Sequence, residues 1–189
     1  QSDRNGKLIS IEAPMTEQQL GTVVIGGRQA GLAVGYYLKQ RGLAFVILDE
    51  NDRVGAAWRK RWDSLRLFTP GRYNGLPGMP FPGSPGAYPT KDETADYLEA
   101  YARAFELPVR TGVKVDRLAK TGDRFEVTCG QQALSAENVV VATGAFNNPR
   151  VPSFARELDQ SIVQLHSKEY RNPSPIHKGA VLGVDVVLL

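Results

Sequence analysis

The residues best suited to chemistry in this chain are Gly26, Gly27, Arg28, Gln29, Ala30 and Gly31, followed by an acid, Asp49, 23 positions after the first glycine. Glycines at this spacing suit a turn between a strand and a helix that receives a diphosphate. The first permits the tight turn, the second lets the diphosphate reach bare backbone at the helix N-terminus, and the third lets helix and strand pack closely. Asp49, with Glu50 beside it, would end the second strand of such a unit and accept hydrogen bonds from the ribose of a dinucleotide.

On that register Gly26 and Gly31 fill the first and third places, and Arg28 stands at the second. Taking Gly27 as the second glycine breaks the spacing to Gly31. Two readings of Arg28 stand side by side. In one, its guanidinium swings outward and pairs with phosphate oxygens, which its planar fork suits. In the other, the side chain fills space that the diphosphate needs and impairs binding, because the position is defined by lack of room. A unit of strand, turn and helix whose glycines serve only the turn is the bland alternative to any ligand site.

The elements that must position these residues are legible around them. Thr22 to Ile25 is a β-branched run entering the turn, and Ala30, Leu32, Ala33, Val34, Tyr37 and Leu38 then recur with a helical period up to Gly42. Ala44 to Leu48 follows as a second apolar strand, and a right-handed crossover makes the two strands parallel neighbours. Asn51 to Thr90 is a long segment rich in proline, glycine, arginine and aromatics, among them Trp58, Trp62, Phe68, Tyr73, Phe81 and Tyr88. A loop of that length is functional or disordered, and its aromatics favour function.

Thr90 and Glu93 form a capping box that opens a helix running to Leu107, with Pro108 as its stop. Val109 to Thr111, Val113 to Leu118, Arg124 to Cys129 and Gln132 to Ser135 read as short strands, with a turn at Thr121 to Asp123 joining an antiparallel pair. Asn138 to Val141 is a separate parallel-type strand ending in Ala142, Thr143 and Gly144, and a last apolar strand is expected over Ala180 to Leu189. The fold class is α/β: a Rossmann-like dinucleotide-binding domain with a parallel sheet and a small antiparallel β-meander. Its expected extent is residues 20–150, preceded by a polar tail over 1–19 and followed by connecting chain over 151–189.

Composition narrows the partners. Lysine and arginine number 23 against 20 acidic residues, spread without a stripe, so neither a nucleic-acid surface nor a basic membrane face is expected. The apolar runs are far shorter than the roughly 20 residues that span a bilayer. Cys129 is the only cysteine, which excludes an intramolecular disulfide and any paired-cysteine redox or zinc motif, and agrees with a cytoplasmic location.

Taken together, these residues make the chain resemble the N-terminal part of the two-dinucleotide-domain flavin monooxygenases, a family that includes the flavin-containing monooxygenases, the plant auxin-forming enzymes and bacterial relatives. Four segments carry the resemblance: Thr22 to Gly35; Asp49 through Gly55 to Trp58, with Ala56 where the family has a second glycine; Val139 to Pro152, with Ala142, Thr143, Gly144, Pro149 and Pro152; and His166 to Tyr170. Gln160 and Ile162 replace the aromatic and glycine with which the family's last motif starts.

The resemblance implies FAD as cofactor, contacted by Gly26, Gly27, Arg28, Gln29, Ala30, Gly31, Asp49, Glu50, Gly55, Trp58, Val113, Ala142, Thr143 and Gly144. Trp58, Trp62 and Arg66 are the candidates for lining a flavin pocket; core aromatics with a surface arginine are the ordinary alternative. In intact relatives NADPH reduces the FAD, and the reduced flavin serves to oxygenate a small-molecule substrate. The family's second glycine-rich turn, for NADPH, has no counterpart in Val181 to Leu189. This chain alone is therefore expected to hold only the start of an NADPH-binding domain and not to turn over NADPH. A reading from another class is a non-catalytic remnant of the fold that serves as a binding or homo-oligomeric module. A disulfide reductase of similar architecture needs a cysteine pair that Cys129 does not supply.

Overall fold

Val23 and Ile25 face one side of the first strand and Val24 the other, and each side becomes a core. The computed structural model describes residues 18–144, 149–176 and 179–183. In chain order the elements are β1 (Gln18–Ile25), α1 (Gln29–Gln40), β2 (Phe45–Leu48), α2 (Ala56–Arg59), α3 (Lys91–Ala104), β3 (Val109–Arg110), β4 (Arg117–Thr121), β5 (Arg124–Cys129) and β6 (Gln132–Val141), with single 3-10 turns at Gly71–Tyr73 and Ser153–Glu157. The strands form one sheet in the order β3, β2, β1, β6, β5, β4. β1 pairs in parallel with both β2 and β6, while β4, β5 and β6 are antiparallel.

On one face α1 and α3 bury Val24, Leu32, Ile47, Leu98 and Tyr101 together. On the other, Val23, Val46 and Leu48 close against Val127, Leu134 and Ala136. Covering both faces of β1 and β2 is what parallel strands require, since apolar side chains project from each.

Four boundaries differ from the sequence reading. β1 starts at Gln18, so the last two residues assigned to the polar tail belong to the sheet. Gln132 to Ser135 and Asn138 to Val141 are one ten-residue strand. Glu137 and Asn138 interrupt the apolar pattern because both are exposed, Glu137 pairing with Arg124 at 3.3 Å and Asn138 Nδ2 donating to the Gly21 carbonyl at 3.3 Å. The meander is therefore continuous with the parallel sheet.

β4 runs over Arg117–Thr121 rather than from Val113. Val113 and Val115 alternate like strand residues and pack on the second core, but the Val113 N–H donates to the Asp49 carbonyl at 2.9 Å, outside the ladder. Residues 180–183 carry no strand, and residues 184–189 of the expected last strand lie outside the described residues.

The fourth difference is the end of α3. Its start is as expected: Thr90 accepts from the Glu93 N–H, and the Glu93 carboxylate accepts from the Thr90 N–H at 2.7 Å. Those bonds hold the Glu93 carboxyl below its ordinary range. The helix stops at Ala104, four residues before Pro108, whose missing N–H could not have bonded the Ala104 carbonyl. Leu107 N–H returns to the Ala102 carbonyl at 2.9 Å and Glu106 N–H to Arg103 at 3.0 Å, the pattern of a helix end with a left-handed residue. That residue is Glu106, at φ 44°, whereas Gly42 at φ 65° closes α1 with the same bonds.

Replacing Glu106 by glycine should therefore stabilise the protein by about 0.5–1 kcal/mol, since a β-carbon in this conformation costs about 1–2 kcal/mol. The Lys39 ion pair that is lost is largely exposed and contributes little. Thermal unfolding should show a rise of about 2–4 °C; a fall would mean that the Lys39 contact dominates.

The long aromatic loop is anchored by α3. Tyr97 Oη accepts from the Leu76 N–H at 2.6 Å and donates to the Met79 carbonyl at 2.7 Å, and Tyr101 Oη donates to Pro77 at 2.7 Å. Burial raises both phenols above their ordinary range. Arg59 ties α2 to α3 through Asp96 at 2.7 Å and Glu99 at 3.1 Å. Among the described residues no helix is long and apolar enough to cross a membrane, and no group of three or more metal-ligating side chains gathers.

Candidate functional site

The chain leaves β1 through α1 to reach β2 on one side, while β6 lies on the other, so the crevice above the C-terminal ends of β1 and β6 is the point where the sheet's winding reverses. Ligands of open α/β sheets bind at such crevices. Three glycines shape its floor. Gly26 has φ 109°, and a Cβ there would stand 2.5 Å from the Ala142 carbonyl oxygen. A Cβ on Gly31 would overlap the carbonyl oxygen of Gly26, and one on Gly27 would stand 2.9 Å from Asp49 Oδ2. The turn is thus wedged between the end of β6 and the end of β2.

Asp49 is buried and holds this wedge. One carboxylate oxygen accepts from the Gly27 N–H at 2.7 Å, and the other accepts from the Asn51 N–H and Nδ2 at 2.8 Å each. Lys60 Nζ donates to Asn51 Oδ1 at 2.8 Å, adding a cation one step away. Three of the roughly four acceptor sites of the carboxylate are therefore used within the protein. Asn51 and Lys60 were not among the expected site residues; an asparagine two positions after a buried aspartate is the turn-forming spacing that could have shown the first.

The architecture predicts that Asp49→Ala costs about 2–4 kcal/mol in urea unfolding, since it strands buried donors of Gly27 and Asn51. A loss below about 1 kcal/mol would show that the carboxylate is not a structural clamp.

Arg28 is the N-cap residue of α1, at φ −90° and ψ −168°, an extended conformation open to any residue. Its backbone is unstrained, so the question it raises is one of space. Its half-buried side chain reaches toward the end of β6: Nη1 lies 3.5 Å from where a Gly144 Cβ would stand. Gln29 receives a hydrogen bond from Trp58 Nε1 at 3.2 Å, which links α2 to the start of α1.

Three residues beyond Trp58, the Arg61 N–H returns to its carbonyl at 2.9 Å. Burial, then the charges of Arg28 and Arg171, hold the Arg61 guanidinium below its ordinary value. The Asp63 N–H donates to the Arg171 carbonyl at 2.7 Å, and the exposed Arg171 guanidinium donates to the Lys168 and Tyr170 carbonyls at 3.1 and 3.2 Å.

Gly26, Gly27, Arg28, Gln29, Gly31, Asp49, Ala142, Thr143 and Gly144 thus converge on one crevice, with Val113 adjoining through Asp49. Ala30 and Glu50 are exposed. Gly55 has another role, since a Cβ there would stand 2.6 Å from the Ala95 carbonyl, so it lets α2 approach α3.

Arg66 is exposed and donates to the Tyr88 carbonyl at 3.0 Å. A cleft of about 200 Å³ does open beside Gln29, but Tyr73, Asn74, Leu76, Tyr97 and Leu98 line it, not Trp58, Trp62 or Arg66. The loop folds back through Asn74, whose Nδ2 donates to the Thr69 carbonyl at 2.9 Å, and this closure was not visible in residue types alone. His166 is half-buried in a turn and accepts from the Lys168 N–H through Nδ1 at 3.0 Å.

The sequence model of the pyridine nucleotide-disulphide oxidoreductases matches residues 23–184. An uncharacterised CzcO-like oxidoreductase from Geobacillus kaustophilus is 50% identical over 162 residues, covering 86% of this chain and 47% of that protein. Indole-3-pyruvate monooxygenase YUCCA1 of Oryza sativa is 35% identical over 156 residues, covering 80% and 38%. A solved flavin-containing monooxygenase from Stenotrophomonas maltophilia superposes with a TM-score of 0.79 at 36% identity, covering 85% of this chain and 49% of that one. The chain spans about half the length of the curated relatives it matches first.

Proposed function

This chain belongs to the pyridine nucleotide-disulphide oxidoreductase family, and from that membership we propose that it is the FAD-binding portion of a flavin-monooxygenase-type oxidoreductase whose diphosphate turn is obstructed by Arg28. The supporting observation is the crevice itself. Gly26, Gly27 and Gly31 leave no room for a β-carbon where α1 begins, which is the cradle a dinucleotide diphosphate fits. Gly26, Gly27, Gly31 and the N-terminus of α1 would hold the diphosphate, with Ala142 to Gly144 as the opposite wall and Asp49 at the ribose end. Bound there, FAD supplies the redox chemistry, and the protein supplies orientation and shelter from water.

Arg28 is the residue that does not fit. Hydrogen bonds from the helix N-terminus to a phosphate need donor to acceptor distances near 3 Å, and we read the guanidinium, whose Nη1 lies 3.5 Å from where a Gly144 Cβ would stand, as occupying that space. The obstruction supports the second reading as well, in which the fold persists as a non-catalytic module. Titration of FAD into the 189-residue chain and into its Arg28→Gly form, followed by flavin fluorescence, tests the proposal. Tight binding only by the glycine form is expected; tight binding by the native chain refutes the obstruction, and no binding by either refutes the FAD site. NADPH as reductant and a small organic molecule as substrate are the corresponding proposals for an intact protein of this type.

A further inference from the structure

The long aromatic loop contains an asparagine followed by a glycine, Asn74 and Gly75. In such a pair the glycine nitrogen, once base has taken its proton, attacks the carbonyl carbon of the asparagine side chain. A C–N bond forms, the Cγ–Nδ2 bond breaks and ammonia leaves. Water then opens the cyclic imide to aspartate or isoaspartate, so the net change is water in and ammonia out, with no oxidation. Glycine favours the attack because no side chain shields its nitrogen.

The loop dictates both residues. Asn74 closes it through its side-chain amide: Oδ1 accepts from Thr69 Oγ1, and Nδ2 donates to the Thr69 carbonyl at 2.9 Å and the Pro70 carbonyl at 3.2 Å. An aspartate has no donor for those carbonyls. A Cβ on Gly75 would stand 3.1 Å from the Met79 carbonyl oxygen, the Pro80 Cα and the Phe81 nitrogen, a crowding that backbone relieves only by moving. A reactive pair is thereby kept on the wall of the cleft beside Gln29.

The same closure holds the pair unreactive. Asn74 has φ −100° and ψ −2°. That ψ eclipses the Gly75 nitrogen with the Asn74 nitrogen and leaves Cβ about a third of a turn away around the Cα–C bond. Closing the imide ring needs Cβ and the Gly75 nitrogen on the same side, and turning the bond that far pulls the amide from Thr69 and Pro70. Gly75 is exposed and its N–H makes no hydrogen bond among the described residues. The nucleophile is open to base, and the clasp on Asn74 withholds the carbon it would attack.

We propose that Asn74 and Gly75 form a deamidation site held in check by Thr69, and that conversion of Asn74 to aspartate or isoaspartate releases the loop from the cleft wall. A carboxylate in place of the amide sets acceptor against acceptor at the Thr69 and Pro70 carbonyls. The proposal is independent of any ligand at the glycine turn.

Trypsin releases the peptide from Tyr73 to Lys91, in which Asn74 is the sole side-chain amide, so its conversion is read directly by mass. The folded 189-residue chain is held in mildly alkaline buffer beside the same chain in urea. Conversion should be slower by about tenfold or more in the folded chain, since several hydrogen bonds must open first. Thr69→Val should speed it by about three- to tenfold, the effect of one hydrogen bond, while Thr69→Ser keeps the native rate. Equal rates in buffer and urea, a Thr69→Val rate no faster than native, or a Thr69→Ser rate matching Thr69→Val overturns the check. Release is read separately, by brief trypsin treatment of folded Asn74→Asp. Cleavage after the exposed Arg72 should be about threefold faster or more than in the native chain; an equal rate overturns the release.

Discussion

Arg28→Gly should bind FAD at least tenfold more tightly than the native chain, and about a hundredfold if the whole steric cost is recovered. Two effects oppose each other at this position. A guanidinium on a phosphate contributes about 1.5–3 kcal/mol as a charge-assisted hydrogen bond. Against it stands the loss of direct contact between the diphosphate and the N–H groups at the start of α1, several bonds of about 1 kcal/mol or more each, together with an overpacking cost of about 1–3 kcal/mol. The expected sign follows from the proposed obstruction, which the Arg28 Nη1 position, 3.5 Å from where a Gly144 Cβ would stand, supports.

Each factor of ten corresponds to about 1.4 kcal/mol. The midpoint of thermal unfolding should also become FAD-dependent in the variant. Equal or weaker FAD binding by Arg28→Gly would show that the arginine serves the cofactor.

The second large effect concerns stability. Gly31→Ala should cost about 3 kcal/mol or more, while Gly42→Ala should cost about 1 kcal/mol. Both are glycines at the ends of α1, yet their surroundings differ. A Cβ on Gly31 would overlap the carbonyl oxygen of Gly26, which is backbone and is itself held by the Gly26 N–H bond to Leu48 at 2.7 Å. Relief would require α1 to lift off β1.

At Gly42 nothing lies within 4 Å, so only the left-handed backbone conformation is strained. Urea unfolding of the two variants side by side separates them. Similar small losses would mean that α1 slides at little cost and that the turn is not wedged as described. A large loss from Gly31→Ala also warns against reading its failure to bind FAD as a direct ligand effect.

Much of the fold was legible from local pattern. The turn at Gly26, the amphipathic stripe of α1 and the capping box at Thr90 are short-range signals, set by residues within four or five positions of one another. The boundaries that moved depended on distant partners. β6 reads as two strands until β1 supplies pairing from Gln18 onward. Val113 looks like a strand residue until its N–H is seen to join Asp49. α3 ends at Ala104 because Leu107 returns to Ala102 and is buried in the core, which outweighs the conformational cost at Glu106.

The candidate site divides in the same way. The sequence by itself determined the family, the glycine-rich turn and the presence of Arg28 within it, because these are matters of residue type and spacing. Only the tertiary structure decided where the Arg28 guanidinium lies, that Asp49 is occupied in holding Gly27 and Asn51, that Arg66 faces solvent, and that Asp63 is fastened to Arg171 and Asn172. A side chain's direction and its neighbours follow from how the ends of β6 and β2 pack around the turn, and no local pattern encodes contacts between residues more than 100 positions apart.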